Sequence, residues 1–231
     1  MDKPDTHVNR KMIPELMHNA DCPLCLNPQT TIFSQDKQRT YLQCQSCQLV
    51  FVARQHLLTA EQERQHYLLH NNDLHDPGYR EFLNRLANPV LTALGKTPKQ
   101  GLDFGCGPGP LLARIFSEAG HHMQLWDPFF ANNPVALEQQ YDFISCTEAI
   151  EHFVNPLNEW QLWLSLLKPA GILAIMTKCY PAAAAFHNWH YKRDPTHISF
   201  FSKFTFEWLA QRNNLHLAFP TNDVVIFRKA G

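Results

Sequence analysis

The segment Gly101–Pro110 constrains the fold more than any other part of the chain. Its first residues, 101–104, have the apolar character of a buried strand. The turn that follows has a glycine at every second position, at Gly105, Gly107 and Gly109. Because glycine has no Cβ, such a turn lets the backbone approach a ligand closely. Apolar residues at helical spacing over 111–119 predict a helix, so the segment predicts the first half of a nucleotide-binding βαβ unit in an α/β fold.

Two acidic residues and two prolines indicate the kind of ligand. Asp103 lies in the first predicted strand, and Asp127 follows 24 residues later at the end of the next strand, where an acidic residue can bind ribose hydroxyls. Pro108 and Pro110 lack the N–H groups that a pyrophosphate needs at a helix start. Asp103 would repel a phosphate but suits a cationic amino group. Adenosine carrying a zwitterionic amino acid is therefore favoured over a dinucleotide.

Four segments occur in a particular order: Leu102–Gly109, Leu125–Pro128, Tyr141–His152 and Leu166–Leu173. Together they resemble the class I S-adenosylmethionine-dependent methyltransferases, over roughly residues 80–231. The resemblance implies a Rossmann-like sheet that binds S-adenosylmethionine. The cofactor-binding positions that it implies are Asp103, Gly105, Cys106, Gly107, Gly109, Asp127, Pro128 and Thr147. Because only 14 residues separate Asp127 from Tyr141, the third strand of the sheet is expected to be short or absent.

A second motif lies near the N-terminus and consists of two C-x-x-C pairs, Cys22 with Cys25 and Cys44 with Cys47. The 18 residues between the pairs are typical of a tetrahedral zinc site. Four thiolates leave no open position for water, so the predicted role of the zinc is structural. Short β-rich runs around the pairs indicate a hairpin and a further strand, which together resemble a zinc ribbon. The alternative is a redox-active C-x-x-C, which usually occurs once and beside a βαβ unit.

The segment E-x-x-E-H after the predicted fourth strand supplies candidate catalytic residues. Glu148, Glu151 and His152 are expected on one helical face, at the edge of the sheet where ligands bind. The segment resembles that of ubiquinone-pathway O-methyltransferases and small-RNA 2′-O-methyltransferases. This implies a divalent ion, Mg²⁺ or another, held by Glu148, Glu151, His152 and the later His197.

Other interpretations of these residues stay open. Two histidines would also suit zinc, manganese or iron. Without a metal, His152 or His197 would act as a general base beside Glu148. In the third interpretation all of them have packing or capping roles.

An aromatic and histidine-rich stretch, Phe186–His197, follows the predicted fifth strand. The resemblance places the acceptor-binding insertion there. The stretch is either a packed lid or a pocket for a planar or hydroxylated acceptor. The candidate pocket residues are Phe186, Trp189, His190 and Tyr191.

The whole chain of 231 residues is predicted to have three parts. These are a zinc-ribbon module over 1–58, a helical linker and cofactor cap over 59–95, and the methyltransferase domain over 96–231. Within the linker, Thr59 is expected to cap a helix, Tyr67 or Tyr79 could touch the cofactor, and His66 and His70 are four residues apart. No apolar run is long enough for a membrane helix and no apolar leader begins the chain, so a cytoplasmic protein is expected.

Charge helps to rank the functions. The net charge is −1, and residues 1–60 carry six Lys and Arg against five Asp and Glu, which does not form a nucleic-acid patch. The favoured function is methyl transfer to an oxygen of a small or quinone-like acceptor. An RNA methyltransferase that recognises RNA through the ribbon is second, and a non-catalytic module that senses the cofactor is third.

Overall fold

The computed structural model describes residues 21–68 and 74–231. The predictions that concern His70 and the start of the chain up to residue 20 lie outside the described residues. Within the two described ranges, no helix is both long and apolar enough to cross a membrane.

The described residues form strands and α-helices in two sheets. The strands are β1 (Thr30–Gln35), β2 (Thr40–Cys44), β3 (Val50–Val52), β4 (Gln100–Phe104), β5 (His122–Trp126), β6 (Tyr141–Thr147), β7 (Leu167–Met176), β8 (Ser199–Phe200), β9 (His216–Ala218) and β10 (Val224–Arg228). The α-helices are α1 (Ala60–Tyr67), α2 (Pro77–Leu94), α3 (Leu111–Glu118), α4 (Pro156–Leu166), α5 (Ala183–Phe186) and α6 (Lys203–Arg212). Short 3₁₀ turns lie at Arg54–His56, Pro134–Leu137, Ile150–His152 and His190–Arg193.

The larger sheet has six strands in the order β5-β4-β6-β7-β10-β9. Strands β5, β4, β6 and β7 are parallel, and β10 is antiparallel to both of its neighbours. Between β5 and β6 the described chain forms only the 3₁₀ turn Pro134–Leu137. The prediction of a Rossmann-like α/β sheet whose third strand is short or absent is confirmed.

Helices cover both faces of this sheet. On one face α2 and α3 pack against alternate side chains of the strands, among them Phe143. The next residue, Ile144, belongs to the cluster on the opposite face together with Trp160 and Trp163 of α4. This alternation is the period of two that an extended strand imposes. With both faces covered, the carboxyl edge of the parallel strands is where a ligand can reach the sheet.

The smaller sheet joins distant parts of the sequence. It has the order β1-β2-β3-β8, and the predicted hairpin and third strand of the cysteine module are its first three members. The fourth, β8, comes from the stretch after β7 and pairs antiparallel with β3, Val50 opposite Phe200. The N-terminal module therefore shares a sheet with the segment that carries His197.

The aromatic stretch packs against this smaller sheet. Phe186, Tyr191 and Phe200 form one buried cluster with Tyr41 and Val50, and Trp189 packs on it. His190 is exposed. The sequence predicts that the stretch is either a packed lid or an acceptor pocket. Phe186 and Trp189 fit the packed lid, because their rings fill the space between the stretch and the cysteine module.

Candidate active site

The glycine turn after β4 has the backbone conformation that its sequence predicts. Gly105 and Gly107 have positive φ angles of 76° and 62°, which L-residues with a side chain rarely adopt. The N–H of Gly105 donates to the carbonyl of Trp126 at 2.7 Å, which ties the turn to the end of β5. A Cβ at Gly105 would lie 2.6 Å from the Cβ of Ala149, so the turn and the end of β6 are in contact.

A cavity of about 410 Å³ opens at the carboxyl edge of β4, β5 and β6. All the predicted cofactor positions line it: Asp103, Gly105, Cys106, Gly107, Gly109, Asp127, Pro128 and Thr147. The three candidate catalytic residues, Glu148, His152 and His197, line it as well. Residues that are distant in sequence thus meet at one site.

Helices before the sheet contribute to the walls of the cavity. Tyr67 and Tyr79, the two tyrosines suggested as cofactor contacts, both line it. The Tyr67 ring packs edge-on against His152, with centroids 5.1 Å apart, and lies 5.5 Å from the ring of Phe129. Burial raises the pKa of the Tyr67 hydroxyl well above its usual range. Helix α1 therefore covers the cavity beside His152.

Sequence reasoning missed several lining residues: Glu63, Phe82, Leu83, Leu112, Phe129, Phe130, Ala149, Phe153 and Asp194. Phe129 and Phe130 directly follow Asp127 and Pro128, so their position after a strand of the site was a usable signal. Asp194 lies within the stretch 186–197 to which the resemblance assigns acceptor binding, but no motif singled out that residue.

Asp103 is the most deeply buried carboxylate of the cofactor part of the cavity, with 3% of its surface exposed. Burial raises its pKa from 3.8 to about 7, although a hydrogen bond from the Ser145 hydroxyl at 2.9 Å favours the charged form. Nearby Asp127 adds a smaller repulsion. A cationic ligand group beside Asp103 would offset this cost.

Asp127 folds the loop after β5. Its carboxylate accepts from the N–H groups of Gly107 at 3.0 Å, Phe129 at 2.9 Å and Phe130 at 3.0 Å. An ionised carboxylate has about four acceptor positions, so capacity for a ribose hydroxyl remains. Among the described residues, the buried Thr147 hydroxyl has no hydrogen-bond partner, and a ligand in the cavity could supply one.

The E-x-x-E-H segment differs from its prediction. Glu148 has a positive φ of 48° at the end of β6, and Glu151 and His152 lie in the 3₁₀ turn that follows. The expected common helical face is wrong, because the left-handed conformation of Glu148 turns the chain before a helix can begin. Glu151 is fully buried and is not among the residues that line the cavity.

The two glutamates meet around the hydroxyl of Tyr191. That hydroxyl lies within hydrogen-bond distance of Glu151 and 3.1 Å from Glu148, and the Thr177 hydroxyl donates to the other oxygen of Glu151 at 3.0 Å. Burial raises the pKa of Glu148 to about 7, and burial together with Glu148 raises that of Glu151 to about 8. The Tyr191 hydroxyl has one proton and can donate to only one glutamate at a time. The contacts therefore favour a state near neutral pH in which the two glutamates together hold one further proton.

The histidines are oriented by backbone carbonyls. Nδ1 of His152 lies 3.1 Å from the carbonyl of Thr196, and Nδ1 of His197 lies 2.7 Å from the carbonyl of Tyr191. A carbonyl can only accept, so each Nδ1 must carry the proton, and in the neutral ring Nε2 holds the lone pair. The two rings are 4.7 Å apart between centroids. Asp194 places a carboxylate oxygen 3.9 Å from Nε2 of His197.

A metal-binding set can be drawn from these residues. Glu151, His152 and His197 each offer a ligand atom, all within 4.8 Å of one another; in the described chain this group does not include Glu148, the fourth predicted ligand. Two imidazoles and one carboxylate suit a transition metal better than Mg²⁺, which prefers oxygen. Each oxygen of Glu151 already accepts from one hydroxyl, so an ion would have to share that oxygen through its remaining lone pair.

The four cysteines form a separate cluster. Their sulfur atoms lie within 4.8 Å of one another, with Cys22 and Cys47 at 3.5 Å and Cys25 and Cys44 at 3.4 Å. A disulfide bond is about 2.05 Å long, whereas sulfurs around one zinc ion are about 3.8 Å apart, given Zn–S bonds of about 2.3 Å. The cluster fits a tetrahedral ion.

Comparison with known proteins assigns the family. A family model described as a methyltransferase domain matches residues 74–218. A search of curated proteins finds no match. The chain therefore belongs to this methyltransferase family, which confirms the class predicted from its sequence, the S-adenosylmethionine-dependent methyltransferases.

Solved structures with a similar fold share little sequence. An O-methyltransferase family protein from Burkholderia thailandensis is 17% identical, with a TM-score of 0.47, over 68% of this chain and 61% of that one. The 1,6-didemethyltoxoflavin-N1-methyltransferase of the same organism, with S-adenosylhomocysteine bound, is 16% identical, with a TM-score of 0.49, over 88% of this chain and 100% of that one. Magnesium protoporphyrin IX methyltransferase from Synechocystis is 10% identical, with a TM-score of 0.46, over 74% of this chain and 94% of that one.

Proposed function

We propose that this protein transfers a methyl group from S-adenosylmethionine to an oxygen of a small acceptor, with His152 or His197 as the general base. The observation that carries the proposal is the pair of imidazoles at the cavity, both committed through Nδ1 to carbonyls. Each neutral ring then offers a lone pair on Nε2, which can take the acceptor proton as the oxygen gains its methyl group.

The residues of the cavity fit the cofactor. Asp103 would bind the ammonium group, and Asp127 would accept from the ribose hydroxyls, with the glycine turn and the Thr147 hydroxyl beside them. Bound S-adenosylmethionine supplies an electrophilic methyl group on a sulfonium, so the protein has mainly to align the acceptor and remove its proton.

The charge of the cavity supports a small acceptor over RNA. The carboxylates of Glu63, Asp103, Asp127, Glu148 and Asp194 line it, and no lysine or arginine is among its described lining residues. Because the pKa values of Asp103 and Glu148 are raised to about 7, these two are only partly ionised at neutral pH. The charge that is present would repel a phosphodiester but not a neutral phenol or sugar hydroxyl.

The cysteine cluster is proposed as a structural zinc site. Its sulfur spacing and complete set of four ligands support this role, since no position stays open for a substrate. A divalent ion at Glu151, His152 and His197 is the second candidate feature, supported by the spacing of their ligand atoms.

Release of S-adenosylhomocysteine tests the function on a panel of phenols, catechols, sugars and RNA oligonucleotides. His152→Gln or His197→Gln should lower kcat by about 10²–10⁴-fold, the usual contribution of a general base. His187→Gln is the matched control, because His187 is exposed and is not among the residues that line the cavity. Turnover within twofold of wild type in both cavity variants would exclude these histidines as the base.

Two further measurements separate the alternatives. RNA methylation with a steep loss of activity between 50 and 200 mM salt would favour the RNA acceptor, because phosphate contacts are salt-dependent. Dialysis against EDTA that leaves the cysteine-bound zinc in place should not change kcat. Recovery of a lost activity by Mn²⁺ or Mg²⁺ after that dialysis would favour the metal-assisted mechanism.

A further inference from the structure

The loop from Tyr191 to Ile198 directs its carbonyl groups in two directions. On the cavity side, the carbonyls of Tyr191 and Thr196 accept from Nδ1 of His197 and of His152. These two bonds decide which ring nitrogen of each histidine carries the lone pair. The orientation of both proposed bases therefore depends on how firmly this loop is held.

On the other side, the loop is held by one arginine of the cysteine module. Arg39 lies next to β2, with 8% of its surface exposed. Its Nη1 donates to the carbonyls of Pro195 at 3.3 Å and His197 at 3.1 Å, and its Nη2 donates to the carbonyl of Lys192. One guanidinium thus binds three loop carbonyls that do not accept from the two histidine rings.

Neighbouring contacts hold Arg39 and the loop in a fixed position relative to each other. The N–H of Arg39 donates to Asp36 at 2.9 Å, and Asp36 also pairs with the Lys192 ammonium of the loop. At the end of the loop, the N–H of Val52 donates to the carbonyl of Ile198 at 2.9 Å. The loop is therefore attached to the module at both of its ends and at its middle.

We propose that Arg39 is a positioning residue, which sets the tautomer and orientation of His152 and His197 through the loop 191–198. The cysteine module is then part of the catalytic apparatus, although it lies outside the cavity. The effect on turnover rests on the proposed function, whereas the effect on the histidine rings does not.

Lysine cannot replace this arginine. A guanidinium has five N–H donors in a flat fork, whereas an ammonium is a single point of charge. Arg39→Lys keeps the positive charge but can reach one or two of the three carbonyls. The change isolates the geometry of the contact, because the charge of the site is conserved.

The test is performed on the full-length protein with its metal as purified, by ¹⁵N NMR of the histidine rings at pH 8. His152→Gln and His197→Gln assign the signals. In wild type both rings should be protonated at Nδ1. In Arg39→Lys both should shift toward the Nε2–H tautomer, and kcat should fall roughly 10- to 100-fold, as displacement of a catalytic group commonly does. The Kd for S-adenosylhomocysteine should stay within twofold of wild type.

Arg114→Lys is the matched control, since Arg114 is 53% exposed and pairs with Glu118; its histidine signals and kcat should equal those of wild type. If Arg39→Lys does not fold, Asp36→Asn weakens the same attachment through Lys192 and should shift the ring signals in the same direction. Unchanged ring signals in a folded variant would overturn the positioning role. Shifted signals with unchanged kcat would support the positioning role and refute the proposed base.

Discussion

Replacement of Asp103 by asparagine should make the cofactor-free protein more stable, although Asp103 belongs to the proposed cofactor site. Burial raises the pKa of this carboxyl from 3.8 to about 7, so ionisation costs the folded state more than the unfolded state. The penalty is absent below pH 4, grows as the pH rises toward 7, and is complete above it. Stability contributed by the neutral carboxyl is therefore lost with rising pH.

The size of the effect follows from the pKa values. A rise of one pKa unit corresponds to about 1.4 kcal/mol, so the ionised carboxylate costs up to about 4 kcal/mol at pH 8. Asparagine removes this cost and keeps an oxygen to accept from Ser145. Its amide N–H₂ adds an unsatisfied donor, worth about 1–3 kcal/mol. The expected net gain at pH 8 is on the order of 2 kcal/mol. Near pH 4, where the ionisation cost is absent, the unsatisfied amide should make the variant about 1–3 kcal/mol less stable than wild type.

Urea denaturation of both proteins between pH 4 and pH 9, without cofactor, measures this difference. The Asp142→Asn variant is the matched control. Hydrogen bonds from the Gln100 N–H and the Lys168 ammonium outweigh burial and hold the pKa of Asp142 below its usual value. Asp142→Asn should therefore lower stability at pH 8 and have less effect at low pH, the opposite sign.

S-adenosylhomocysteine should narrow the difference in stability between the two proteins. Without the carboxylate, the ammonium group of this ligand loses its counter-charge, and a tenfold weaker Kd reduces ligand stabilisation by about 1.4 kcal/mol. The variant should thus be more stable alone and gain less from the ligand. An Asp103→Asn protein that is less stable than wild type at pH 8, or that binds the ligand equally well, would refute this account of the site.

Two further changes test the backbone and the cysteine cluster. Gly105→Ala should abolish binding of S-adenosylhomocysteine in calorimetry, because the new Cβ would lie 2.6 Å from that of Ala149. Gly120 has a positive φ of 92° and open space around it. Gly120→Ala should therefore cost only about 1–2 kcal/mol of backbone strain and leave binding intact. Cys22→Ser should lose the one bound zinc per chain measured with a colorimetric chelator, whereas Cys179→Ser should retain it; equal zinc in both would contradict the proposed site.

Much of the fold follows from local sequence signals. The cap predicted at Thr59 forms as a capping box, because such a cap needs only residues three positions apart. The absence of the third strand follows from the short segment between Asp127 and Tyr141. The glycine turn follows from the backbone angles that glycine allows.

The features that sequence reasoning missed depend on distant pairs. Strand β8 has two residues and pairs with β3 about 150 residues earlier, so no local pattern marks it. The sequence does not single out Arg39 from the other charged residues of the module. Its three partners are backbone carbonyls, which any residue could supply. The wrong helical face at Glu148 has a different cause, since glutamate is not among the residues, such as glycine and asparagine, that favour a positive φ.

The cysteine module and the larger sheet share one hydrophobic cluster, which bears on what the module does. Buried Cys22, Cys44 and Cys47 pack in the same cluster as Trp160 and Trp163 of α4. Within its described residues, the module also buries Arg39 against the loop that carries His197. These contacts fit the proposed role of the module as a structural support for the loop 191–198.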